Sequence, residues 1–246
     1  MAAVLMKSEH WYALMAKSKG RPRALRYASK ATRTVIHRTA SAAALIGPLE
    51  PGLHITGLTA GQFSAIDAME HMVSELGLAD VRISTWTTGI YDVERTRQIQ
   101  MGGRIKNIRI LLDRGTFEKS PKFAGPLIEK LGVEAFRCLS VHAKVVIVSG
   151  EHGQAVMRSS MNLNMNLRTE QFDIDVDNKV TAFYTSWFDA LWEQSARSQD
   201  NKAIIQAVYD RYLESPEEQE FQQTSLRSHS AQDIAVSLDE IDHLWT

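Results

Sequence analysis

The segment Val141-His142-Ala143-Lys144-Val145-Val146-Ile147-Val148 sets an imidazole and an ammonium two residues apart at the head of an apolar, β-branched run. Such a run reads as a buried strand, on which residues i and i+2 project to one face, so a nucleophile and a cation would share a pocket wall. Taken alone the pair is weak evidence. Downstream, Ser159-Ser160-Met161-Asn162 follows a second strand-like stretch and Glu170 opens a third. Hydroxyl, amide, ammonium and imidazole can all donate to a phosphoryl oxygen, and a carboxylate can fix the tautomer of the imidazole. Where three neighbouring strands begin or end, His142, Lys144, Ser160, Asn162 and Glu170 therefore predict a phosphate-handling site.

Alternating elements must position these residues. Apolar and β-branched stretches at 53–58, 81–87 and 105–112 predict strands, and helical spacing at 62–76, 91–100 and 123–131 predicts helices between them, a rhythm that implies parallel pairing through crossovers. The spacing then shortens. Strands predicted at 135–139, 142–148, 155–159 and 171–176 have brief connections, as in a meander, with a turn at Gly150-Glu151-His152-Gly153. His152 there lacks spaced partners, so it is not read as a metal ligand. Two amphipathic helices, carrying Val180 to Trp192 and Ile204 to Leu213, close the pattern. Trp187 and Trp192 belong to this helical stripe as core or dimer contacts, and Trp86, at a strand end, is assigned to core packing over base stacking.

The two ends of the chain are electrostatic opposites. Residues 1–46 hold nine Lys and Arg against Glu9, whereas residues 214–246 hold eight Asp and Glu against Arg227. Gly47-Pro48 and Pro51-Gly52 punctuate the first junction. The expected organisation is a basic extension over 1–46, a catalytic domain over 47–215, and an acidic tail over 216–246. A basic cluster attracts phosphate backbones whatever their sequence, which favours nucleic acid as partner, with DNA preferred to RNA. Lys17, Lys19, Arg21, Arg23 and Arg26 are the candidate contacts in the extension, joined by Arg158 and Asn164 beside the motif. For Arg158 and Asn164 a structural hydrogen bond is an equal reading. An anionic membrane surface or the acidic tail would also suit the extension.

Cys138 is the only cysteine, which excludes an intrachain disulfide and a Cys-rich zinc site and suits a reducing compartment. Lys7, Ser8, Glu9 and His10 interrupt the apolar N-terminus, and no apolar run is long enough to span a bilayer. A cytoplasmic protein without stable membrane insertion is expected, although the Arg-, Ala- and Ser-rich start also resembles an organelle transit peptide.

The motif resembles the signature of the phospholipase D superfamily: His-x-Lys, four residues, Asp, then Gly-Ser-x-Asn, then an acidic residue opening the next strand. His142, Lys144, Ser160, Asn162 and Glu170 match it, and the order of elements from about 53 to 198 resembles one repeat of that fold, covering most of the chain except its charged ends. Two positions depart from the pattern. Ser149 stands where the family has Asp and is positioned to supply a supporting hydrogen bond, and Ser159 replaces Gly, adding a side chain beside the pocket.

The resemblance implies an α/β fold, a mixed sheet flanked by helices with one motif copy per chain. It also implies a metal-independent phosphodiesterase that needs no cofactor. Neutral His142 would attack phosphorus and form a phosphohistidine that water releases. Lys144, Ser160 and Asn162 would stabilise charge on the equatorial oxygens, and Glu170 would orient His142. A second imidazole must protonate the leaving oxygen. No other histidine is followed two residues later by Lys, so a homodimer sharing two copies of His142 is expected. The reading is therefore a nuclease. The alternatives are a lipid phosphodiesterase or phosphatidyl transferase, which would need an apolar groove beside His142, and an inactive nucleic-acid-binding module, for which Ser149 and Ser159 speak.

Overall fold

The computed structural model describes residues 31–35, 41–59, 61, 63–88, 102–115, 121–163, 169–196 and 199–215. Among them are eight strands: β1 (Ala31–Val35), β2 (Leu53–Thr59), β3 (Ala79–Thr85), β4 (Ile105–Asp113), β5 (Phe136–Leu139), β6 (Lys144–Gly150), β7 (Gly153–Ser159) and β8 (Glu170–Asp175). The helices are α1 (Ala42–Ile46), α2 (Ala65–Leu76), α3 (Pro121–Leu131), α4 (Asn178–Ala196) and α5 (Gln199–Leu213). One sheet runs in the order β1-β2-β8-β7-β6-β3-β4-β5. The pairs β1–β2, β3–β4 and β4–β5 are parallel and the rest antiparallel, so the fold is a mixed α/β sheet flanked by helices.

Alternation on each strand separates two cores. Val146 and Val148 of β6 join Ile66, Met69, Met72 and Val73 of α2 and Ile205 and Val208 of α5 in the larger one. Val145 and Ile147 face the other way, against Val180, Phe188 and Trp192 of α4. The helices are started by their own side chains. Ser64 Oγ accepts from the N–H groups of Ile66 and Asp67 while Asp67 accepts from the Ser64 N–H at 2.8 Å, a capping box that fixes the first turn of α2. Asp177 Oδ1 does the same for α4, accepting from Lys179 and Val180. At the β5 edge, buried Asn201 of α5 accepts from the Cys138 N–H and donates to its carbonyl, standing in for a missing strand partner. Gly57 of β2 is required by packing, because a Cβ there would lie 2.5 Å from the Phe172 ring.

Two sequence-based boundaries move. The sheet already includes residues 31–35, and α1 buries Ala42, Leu45 and Ile46, so the folded unit starts well before residue 47. The basic side chains that drew the boundary concealed a β-capable Ala-Thr-Arg-Thr-Val segment that gains a parallel partner in β2. Strand β6 begins at Lys144, leaving His142 in the connection before it. The basic residues Lys17, Lys19, Arg21, Arg23 and Arg26, the helix expected over 91–100, Asn164, and the tail over 216–246 lie outside the described residues.

Registers bring the C-terminal ends of β2, β3, β4, β5 and β7 and the N-terminal ends of β6 and β8 to the same end of the sheet: Thr59 pairs with Glu170, Ser84 with Val145, and Lys144 with Ser159. Every residue of the predicted motif emerges there.

Candidate active site

The four residues Ser140-Val141-His142-Ala143 lead from β5 into β6, and the backbone around His142 is held from both sides. Asp113, the last residue of β4, accepts from the Val141 N–H at 3.2 Å and from the Gly115 N–H at 3.0 Å. Ser84 of β3 donates to the Ala143 carbonyl at 2.8 Å. Between these tethers the imidazole of His142 is exposed to solvent. Lys144 lies on the β6 face shared with Val146 and Val148, and its Nζ is 3.2 Å from both Nδ1 and Nε2 of His142. An ammonium donates only to an unprotonated ring nitrogen. A position equidistant from both nitrogens at this range cannot lie in the ring plane without meeting Cε1, so the ammonium sits towards the ring face, poorly aligned with either in-plane lone pair. Burial holds the Lys144 ammonium below the usual lysine range, against the opposing pull of the Glu170 and Asp113 carboxylates.

Across the β6–β7 pair, Ser160 follows the end of β7 and donates its hydroxyl to Glu170 Oε2, while its Oγ accepts from the Gln171 N–H at 3.0 Å. Glu170 thus contacts Ser160, and the His142 ring lies against Lys144. Asn162 sits between buried Met161 and Leu163, and its Oδ1 is buried with no hydrogen-bond partner among the described residues. An orphaned acceptor is costly unless a donor reaches it, and a phosphoryl oxygen is not a donor, so any contact to phosphate falls to Nδ2.

The two departures from the family pattern come out differently. Ser159 folds its hydroxyl back to accept from the Met161 N–H at 3.1 Å, and among the described residues no non-glycine has a positive φ. Its side chain closes a local turn without backbone strain. Ser149 pairs with Asp80 and Gln154 near the far end of β6, five residues from Lys144, or about 16 Å along a strand, so it supplies no hydrogen bond to the site.

One further expectation is overturned, for Trp86, and for Arg158 one of two open readings is selected. Trp86 is 42% exposed, and its ring centroid lies 5.5 Å from that of His142 at an interplanar angle of 54°. β3 ends at Thr85, one residue too early to carry the indole into the core. Arg158 projects to the opposite face of the sheet. There it pairs with Asp175, which is 1% exposed, and lies 5.7 Å over the Tyr184 ring, so it is committed to structure. Asp113 and Ser84 were missed. The available signal was a polar residue at or near the end of a strand that finishes at the same end of the sheet as the motif. Trp192, expected as a core or dimer contact, stacks on Phe188 at 6.0 Å, and the basic residues Arg104 and Arg109 pair with Glu70 and Asp189.

No group of three His, Cys, Asp or Glu side chains suited to a metal ion occurs among the described residues, and none of their helices is long and apolar enough to cross a membrane.

No family profile matches the sequence, and no curated protein does. Among solved structures the chain is similar to Nuc from Salmonella typhimurium, a phospholipase D family member, at 14% identity and TM-score 0.39, over 57% of this chain and 94% of that one. It is similar to NucT from Helicobacter pylori at 13% identity and TM-score 0.42, over 57% and 97%. A third is TrmBL2, an archaeal chromatin protein described with a novel mode of DNA binding, at 16% identity and TM-score 0.38, over 56% and 52%. What the site can do is read from its own residues.

Proposed function

We propose that this chain is a phosphodiesterase acting on nucleic acid, with His142 as nucleophile. The observation that carries the reading is the solvent-exposed imidazole with an ammonium 3.2 Å from its nitrogens, set where β7 and β8 also deliver Ser160, Asn162 and Glu170. A ring nitrogen of neutral His142 attacks phosphorus, a P–N bond forms, and the P–O bond to the leaving sugar oxygen breaks with its electron pair going to that oxygen. Lys144 and the Asn162 amide stabilise the non-bridging oxygens. Water then attacks phosphorus, giving its proton to the group that protonated the leaving oxygen, and the P–N bond pair returns to His142. Glu170 holds the Ser160 hydroxyl, fixing the wall opposite Lys144.

The leaving oxygen needs a proton. Among the described residues, His54 and His152 lie at the other end of the sheet, and His71 on α2 is bonded to the Gly47 carbonyl at 2.8 Å. We assign the proton to His142 of a second copy, in a site shared across a twofold axis, and the N-terminal basic extension to the phosphate backbone. DNA is the preferred polymer and the cytoplasm the expected setting.

Purified protein is incubated with plasmid, single-stranded DNA and RNA in EDTA, beside His142→Ala. Cleavage that persists in EDTA and is lost in the variant supports the reading. Binding without cleavage by either protein selects an inactive module, and turnover of phospholipid selects the lipid enzyme. A light-scattering mass equal to the monomer under active conditions removes the shared site.

A further inference from the structure

We infer that Trp86 is a stacking platform for a base beside the scissile phosphate, which makes the substrate single-stranded or locally unpaired nucleic acid. The inference rests on the phosphodiesterase reading above and names the substrate class of the same site.

Four large hydrophobic side chains are exposed among the described residues, Leu58, Leu78, Trp86 and Leu213, and Trp86 alone is aromatic. Leaving an indole at 42% exposure forgoes much of the burial free energy such a group can contribute. The loop that carries it is held firmly. Thr85 Oγ1 donates to the Thr87 carbonyl at 2.8 Å and accepts from the Leu163 N–H at 3.2 Å, that N–H lies 3.1 Å from the Thr87 carbonyl, and Thr88 bridges Leu163. Thr85, Thr88 and Leu163 are each no more than 4% exposed. The indole is therefore presented on an ordered segment, so a ligand ring would pay little to organise it. The same fastening fixes the backbone next to Asn162, one residue before Leu163.

The tilt of 54° means that the His142 ring does not lie flat on the indole, so its face is not occupied by stacking on that ring. A planar group fits there, and the planar group attached next to a nucleic-acid phosphodiester is the base. A base inside a duplex already has both faces covered by its neighbours. A strand whose bases are free to unstack does not, and base–aromatic stacking is tolerant of sequence because every base has a π face. An acyl chain suits the position less well: Trp86 is followed by Thr87 and Thr88 and adjoins His142, and among the described residues the other exposed large apolar side chains, Leu58, Leu78 and Leu213, lie on other elements.

The test uses the full chain and three end-labelled probes: a single-stranded oligonucleotide, a sugar-phosphate strand of equal length made wholly of abasic sites, and the first strand annealed to its complement. For each protein the kcat/KM on the single strand is divided by that on the abasic strand. Trp86→Ala is expected to lower this ratio on the order of 10- to 100-fold, chiefly through KM, and Trp86→Phe to restore most of it. The wild type is expected to prefer the single strand to the duplex. An unchanged ratio overturns the inference, whether both rates fall together, as they would if the indole only oriented His142, or neither falls. Preference for duplex overturns it too. The same ratio is measured as binding, by anisotropy in the His142→Ala background. If the wild type cleaves no probe, the phosphodiesterase reading fails by itself, and the binding ratio still decides whether Trp86 stacks on bases.

Discussion

His54 and His142 sit at opposite ends of one sheet. His54, on β2, directs Nδ1 to Asp175 at 2.8 Å and Nε2 towards Asp173 at 3.6 Å, while Arg158 pairs with the same Asp175 from β7. Both signs of charge are present, and the shared carboxylate is 1% exposed. His142 has a cation where His54 has carboxylates. Its ring is exposed, and the nearby Asn162 oxygen lacks a partner among the described residues. What separates the two imidazoles is the sign of their neighbours and their exposure: carboxylates beside the half-buried His54, an ammonium beside the exposed His142.

That contrast can be broken from either side. The largest effect is expected at His142: His142→Ala should lower phosphodiester cleavage by at least about 10³-fold while urea unfolding shifts by less than about 0.5 kcal/mol, because the residue is exposed. His54→Ala should do the reverse, with cleavage per folded molecule within a few-fold of wild type and stability reduced. Asp175→Ala should be the most destabilising change in either cluster, costing about 3–5 kcal/mol in urea titration, since it strips the partner from Arg158 and His54 together. A smaller, purely kinetic loss is expected for Asp113→Asn. With the acceptor for the Val141 N–H weakened, kcat should fall about 10-fold at nearly unchanged KM, because misplacement of the nucleophile penalises the transition state more than binding.

Lys144 gives the contrast a pH signature. Its charged form is disfavoured by burial, so the ammonium is lost at a lower pH than from an ordinary lysine, and cleavage should decline on the alkaline side earlier than a lysine's usual range. The same shift makes Lys144 unfavourable to stability at neutral pH, a cost relieved as pH rises through the folded pKa. Lys144→Arg stays charged and should carry the alkaline limb to higher pH, whatever it does to the maximal rate. The smallest effect is expected for Ser159→Gly: its hydroxyl only closes a turn at Met161, so activity should stay within about threefold and stability within about 1 kcal/mol.

Much of this was legible in the sequence because periodicity reports burial. The β-branched run of β6 and the helical stripes of α4 and α5 are where their spacing puts them, and the hairpin at Glu151-His152 follows its flanking glycines. Convergence of the motif at one end of the sheet followed from the order of strand ends. Three things were hidden. Strand β1 looked like a charged leader because its partner, β2, decides its structure more than its own composition does. Trp86 was assigned to the core because an aromatic residue at a strand end has two fates, and only the stop of β3 at Thr85 selects the exposed one. Arg158 had two equal readings because it neighbours the motif in sequence; one residue along a strand is a change of face, and the pair with Asp175 selects the structural one.

The central claim is that the imidazole of His142 becomes bonded to phosphorus during turnover. Rapid mixing with a labelled single-stranded substrate, denaturing quench in alkali, digestion and mass spectrometry should yield a phosphoramidate on the peptide containing His142, absent from His142→Ala. Full cleavage in the first turnover with no adduct on that peptide, together with cleavage that survives in His142→Ala, would contradict it.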